Sequence, residues 1–115
     1  MIEIGVAFIL SIFVFAIIEV QTIHEKKIKD LEERVKQLED IIYQNYNHPS
    51  IVVWGLSNEI GIGGSDADLL ENHNILNDMV HEMDKTRLTT IAAVSMCGMD
   101  DPYLQIPDVV SYNHY

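Results

Sequence analysis

The stretch "NHPSIVVWGLSNE", Asn47–Glu59, sets a turn, a run of strand-forming residues and a carboxylate in immediate succession. Pro49 cannot continue a helix and drives His48 toward extended geometry, so any helix before it should stop near Asn45 to Asn47. "SIVVW" then reads as a strand, continuously apolar as befits one covered on both faces. Were the strand regular through Glu59, Val53, Gly55, Ser57 and Glu59 would share one face, and Val52, Trp54 and Leu56 would pack against helices. That leaves a strand closing on Asn58 and Glu59, polar groups where a core strand has no need of them.

Downstream, Gly61, Gly63 and Gly64 form a loop, and Ser65 caps a helix whose first turn carries Asp66 and Asp68, as the helix dipole favours. The helix runs to about Asp84, with Leu69, Leu76, Val80 and Met83 on one stripe. "LTTIAAVS" from Leu88 is a second strand and "PDVVSYNHY" from Pro107 a third. Strands joined by crossovers imply an α/β fold with a parallel sheet and functional groups at the C-terminal strand ends. "MDDPY", which holds Asp100 and Asp101, reads as a capped turn.

Upstream, "IGVAFILSIFVFAII", Ile4–Ile18, lacks any charge, and Glu3 and Glu19 flank it. A helix of about twenty residues covers about 30 Å, a hydrocarbon thickness, so residues 1–22 are expected to form a membrane anchor through residues 1–20. The start is not basic and no small-residue cleavage site follows, which argues against a cleaved signal peptide. Lys26, Lys27, Lys29, Arg34 and Lys36 follow the span, so the positive-inside rule places the N-terminus outside and the C-terminal part in the cytoplasm; without insertion the chain would be cytoplasmic. Residues 23–46 carry Ile28, Leu31, Val35, Leu38 and Ile42 at heptad spacing, with Lys27 and Arg34 placed to meet Glu32 and Glu39 of a partner helix. A homodimeric coiled coil fits this pattern, and so does an amphipathic helix packed on a sheet.

The chain of 115 residues has 7 Lys and Arg against 18 Asp and Glu. From Gln37 onward only Lys85 and Arg87 are basic, a balance that repels phosphate and excludes nucleic acid as a partner of that part. Cys97 is the only cysteine, so no internal disulfide forms. His73 and His81 lack metal-site spacing, and "GIGGSDADLL" lacks the marks of a nucleotide loop; neither a metal nor a cofactor is expected.

"NHPSIVVWGLSNE" resembles the signature of glycoside hydrolase family 2, the β-galactosidase and β-glucuronidase group, in which it spans the fourth strand of a (β/α)8 barrel. "DKTRLTT" is similar to the family segment before strand five, with Lys85 and Leu88 where the family tends to have proline, and "PDVVSYNHY" to its strand six. The resemblance implies that residues 47–115 are part of an incomplete TIM barrel, strands four to six, and that "KQLEDIIYQNY" is barrel helix three. On that basis the sheet-packing reading of the heptad stripe is preferred. "FVFAIIE", Phe13–Glu19, faintly resembles the third strand. Glu59 is implied as general acid/base and Asn58 as a hydrogen-bond partner of the sugar 2-hydroxyl, with Asn113 and Tyr115 as further substrate contacts on a β-glycoside or oligosaccharide. These roles suit the chemistry: a protonated carboxyl is needed at the glycosidic oxygen, and a low-dielectric barrel mouth raises a Glu toward about 6 to 7. Retention needs a second carboxylate, in the family a Glu on strand seven, and no residue of this sequence matches it. The expected function is therefore a fragment of a retaining β-glycosidase; the alternative is a membrane-anchored association protein with a non-catalytic barrel remnant.

Overall fold

The computed structural model describes residues 2–60 and 66–115; the expected Gly61–Gly64 loop and the Ser65 cap lie outside them. The elements are α1 (Ile2–Asn45), β1 (Val53–Asn58), α2 (Ala67–Met83), β2 (Leu88–Val94), a short 3-10 helix (Pro102–Gln105) and β3 (Val109–Asn113). The chain divides into two compact units, Met1–Arg34 and Val35–Tyr115, with the division falling inside α1.

In the first unit the helix is continuous where the sequence suggested two segments, because no Gly or Pro occurs between Gly5 and Pro49 to break it. Its apolar side chains are exposed, Phe8 at 67% and Phe13 at 63% among them. The faint strand-three likeness of Phe13–Glu19 does not appear as a strand. The run lies within α1, whose backbone satisfies its own hydrogen bonds. Ser11 and Thr22 donate to the carbonyls of Phe8 and Ile18, one turn back.

The second unit is a parallel sheet in the order β1-β2-β3. Thr89, Ile91 and Ala93 point to its covered face, and the alternate residues of β2 point the other way. On the covered face, Trp54 packs with Leu38 and Ile42 of α1 and Leu76 and Val80 of α2. Beside it Ile91 and Ala93 pack with Tyr103 and Leu104 of the 3-10 helix. Leu38 and Ile42 are therefore core residues, which takes two of the five seam residues out of reach of a partner helix, whereas Ile28 is 57% exposed. At about 25 cal/mol per Å² of apolar surface, this burial is what fixes the last turns of α1 to the sheet.

Helix α1 stops as expected, at Asn45, and His48 N–H closes the turn on the Asn45 carbonyl at 2.9 Å. The first strand begins later than "SIVVW" suggested. Ile51 N–H is spent on the His48 carbonyl, closing a turn through Pro49 and Ser50, and β1 starts only at Val53. Val52 is exposed rather than packed against helices, while Trp54 is buried. The cap of α2 is Asp66, whose carboxylate accepts from Leu69 N–H at 2.8 Å. Asp101 caps the 3-10 helix by accepting from Tyr103 N–H at 2.9 Å, the turn chemistry read from "MDDPY".

The sequence "DKTR" joins the two ends of this unit. The buried Asp84 carboxylate accepts from Trp54 Nε1 at 2.9 Å, Thr86 Oγ1 at 2.6 Å and Arg87 Nη1 at 2.6 Å. The same guanidinium donates to the Ile51 and Tyr46 carbonyls, each at 2.8 Å, and lies over the Tyr46 and Trp54 rings. A single ion pair thus fastens the turn before β1 to the turn before β2.

Candidate active site

At the C-terminal end of the sheet the strand ends converge on Glu59. Its backbone N–H donates to the Ala92 carbonyl of β2 at 2.8 Å. Its φ is 56°, the left-handed region that a non-glycine residue seldom occupies, and strain of this kind gathers at functional positions. From the end of β3, Asn113 Nδ2 donates to Glu59 Oε1 at 2.8 Å and to Asn58 Oδ1 at 2.9 Å. The Tyr115 hydroxyl donates to the same Glu59 oxygen. All four residues singled out in the sequence, Asn58, Glu59, Asn113 and Tyr115, are thereby brought into one hydrogen-bonded cluster.

Two details depart from the sequence reading. The first strand is not regular: a register shift between Gly55 and Ser57 makes Leu56 an extra residue. Ser57 therefore lies on the covered face, not beside Val53 and Gly55, and Asn58 takes the open face. Second, the Glu59 carboxyl is not raised. The Tyr115 and Asn113 donors hold it below the usual glutamate value, because hydrogen bonds to the charged form outweigh the slight desolvation of an open rim. The neighbouring Tyr115 phenol is pushed up by the carboxylate it serves. Replacing Tyr115 by Phe should accordingly move the Glu59 pKa upward, read by carbon-13 NMR of the side-chain carboxyl. An unchanged titration would show that the hydroxyl does not hold that carboxylate.

The sequence pointed past three polar residues just below the rim. His73, considered there only as a metal ligand, is buried and bonds Ser57, which in turn bonds Tyr103. Nothing in their spacing signals this, since the three come from β1, α2 and the 3-10 helix.

A parallel sheet covered by helices on one face, with a carboxylate on a left-handed backbone and amide partners at its C-terminal rim, is the arrangement of part of a β/α barrel. The chain belongs to the glycoside hydrolases of family 2: residues 11–113 match Glycosyl hydrolases family 2, TIM barrel domain. It is 34% identical over 85 residues to a β-glucuronidase of Bacteroides fragilis, covering 73% of this chain and 11% of that protein. Among solved structures, the FMN-binding β-glucuronidase from Facaelibacterium prausnitzii L2-6 matches with a TM-score of 0.71 and 48% identity, over 74% of this chain and 13% of that one. Bacteroides uniformis β-glucuronidase 2, covalently bound to cyclophellitol-6-carboxylate aziridine, matches with a TM-score of 0.65 and 30% identity, over 74% and 12%. The chain thus spans about a tenth of the length of these relatives.

Proposed function

We propose that β1 to β3 are strands four to six of a retaining β-glycosidase barrel in which Glu59 is the general acid/base. Asn58 hydrogen-bonds the substrate 2-hydroxyl, and Asn113 and Tyr115 flank the glycosidic bond. The observation that carries this reading is the Glu59 cluster itself, a carboxylate aimed by a left-handed backbone and gripped by residues from two strand ends. A general acid must be protonated in the Michaelis complex, whereas this carboxyl is held ionised. The reading is consistent if the second carboxylate of the pair comes from chain outside these residues. At about 5 to 5.5 Å it would repel the Glu59 charge and raise its pKa. β-Glucuronides are the substrates to try first, because the relatives named above are β-glucuronidases.

The experiment transplants residues 37–115 into the B. fragilis β-glucuronidase in place of the matching segment and assays an aryl β-glucuronide. Turnover that depends on Glu59 supports the proposal. A folded transplant without turnover counts against it.

For location, the reading is a single-pass anchor with the N-terminus outside and residues 35–115 in the cytoplasm. The apolar part of α1 has a window of mean hydropathy 2.4, none of it buried, and the Ser11 and Thr22 hydroxyls are satisfied within the helix, as lipid demands. The family match that starts at Ser11 supports the rival assignment, in which Phe13–Glu19 is barrel sequence. Protease added to the extracytoplasmic side should leave the C-terminal part intact; digestion of that part overturns the orientation, and a chain washed off by carbonate overturns the anchor.

A further inference from the structure

The extra residue in β1 decides which way the rim residues face. Val53, Trp54 and Gly55 pair with Leu88, Thr89 and Thr90; Leu56 is then skipped, and Ser57 and Asn58 pair with Ile91 and Ala92. Ile91 is buried on the covered face, so Ser57 opposite it faces the same way. Asn58, opposite Ala92, faces the open side, where Asn113 meets it. In a regular strand Leu56 would pair with Ile91 and Ser57 with Ala92. Asn58 would then turn toward the helices and away from Asn113, because side chains alternate with period two.

Side chains beneath the rim select the skipped register. Ser57 Oγ lies 2.5 Å from Tyr103 Oη and 2.9 Å from His73 Nε2, and His73 Nδ1 lies 2.8 Å from the Leu69 carbonyl. A carbonyl only accepts, so Nδ1 carries a proton; in the neutral ring Nε2 accepts from Ser57, whose oxygen accepts from Tyr103. Burial pushes the Tyr103 phenol up, which keeps it a neutral donor. His73 and Tyr103 are each 1% exposed. Were Ser57 turned to the open face, a buried imidazole nitrogen and a buried phenol would lose this partner, and such losses are costly. Backbone pairing alone has no reason to prefer the bulge.

We propose that Ser57, His73 and Tyr103 are positioning residues that lock the Leu56 bulge and so aim Asn58 and Glu59 at the rim. The inference rests on Glu59 as the reacting carboxylate, and its test reads conformation rather than turnover. The three meet on the covered face of the sheet and act through the backbone of β1.

The test is NMR of the full chain in detergent micelles, following the Glu59 Cα and Cβ shifts, which report its left-handed backbone, and the Asn113 side-chain amide. Ser57→Ala and Tyr103→Phe, which remove one oxygen each, are expected to shift the Glu59 signals toward ordinary extended values and release the Asn113 amide. His73→Phe should do the same, and His73→Gln, whose amide reaches Ser57, should restore the native signals. Val80→Ala, a core truncation outside the trio, should leave them in place despite its loss of stability. Unmoved signals in folded Ser57→Ala and Tyr103→Phe overturn the proposal, as does an equal movement in Val80→Ala. Moved signals beside a Glu59→Gln transplant of full activity would overturn the acid/base role alone, since the trio would still hold the bulge.

Discussion

Asp84→Ala is expected to unfold residues 35–115. The carboxylate is fully buried and takes hydrogen bonds from Trp54, Thr86 and Arg87. Removing one partner of a buried ion pair costs about 3–5 kcal/mol, because the other is left charged and unpaired. A unit this small has a total stability on the order of 5 kcal/mol. Arg87→Ala should be nearly as damaging, since it also frees the Ile51 and Tyr46 carbonyls and removes the cation from two aromatic faces. Trp54→Phe, which forfeits a hydrogen bond and part of a ring, should cost less. Lys36→Ala, at an exposed pair with Asp40, should change stability by no more than about 0.5 kcal/mol. Urea unfolding followed by Trp54, the only tryptophan, gives the order for the variants that retain it, and circular dichroism serves for the Phe variant. An Asp84→Ala chain with an unaltered midpoint would show that the ion pair is not what joins the two turns.

The same carboxylate sets the response to acid. Burial pushes the Asp84 pKa up, but the donors from Thr86, Arg87 and Trp54 outweigh it and hold the group well below the ordinary range. Asp108 is lowered as well, by Thr89 N–H and His81. A depressed folded pKa means that the unfolded chain binds protons first. The stabilisation is therefore fully present above the unfolded value, about 3.9, and is lost as pH falls through the folded values. Asp84→Asn should flatten that acid slope while lowering stability at neutral pH.

Much of this arrangement is legible in the residues, for reasons that also explain what is not. Pro49 stops α1, Leu88 to Val94 is a β-branched and alanine run too short for a helix, and Trp54 fills a core, all local effects of sequence. The place of Asn58 and Glu59 at a strand end is legible as well, whereas the roles proposed for them come from the family resemblance. The Leu56 bulge does not show, because a bulge is chosen by partners far along the chain: His73 lies sixteen residues from Ser57 and Tyr103 forty-six. The lowered Glu59 pKa is hidden likewise, since its donors come from β3 and beyond. The heptad stripe is ambiguous by nature; only the tertiary burial of Leu38 and Ile42 separates a core face from a dimer seam.

In the transplant, Glu59→Gln should lower hydrolysis of a β-glucuronide with a poor leaving group, such as an alkyl alcohol, by about 10²- to 10⁴-fold, the range for loss of a general acid. The dependence on leaving group carries the argument. An acidic phenol such as 2,4-dinitrophenol departs without a proton, so formation of the glycosyl-enzyme should persist in the variant. Its breakdown should stall, because water then lacks the base that Glu59 is proposed to provide in the second step. A burst of phenol followed by a slow steady state is expected, and azide, which attacks without a base, should restore turnover and yield the β-glycosyl azide. Asn58→Ala should lose rate against the natural substrate but little against its 2-deoxy analogue, since the hydrogen bond that strengthens in the transition state is then absent from both. If Glu59→Gln slowed both leaving groups equally and azide gave no rescue, Glu59 would be a nucleophile or a structural carboxylate. Its present state, ionised and gripped by Asn113 and Tyr115, suits the base half of the cycle. The acid half requires a second negative charge beside it, so the pH limit for bond cleavage should lie above the Glu59 pKa measured in the isolated chain.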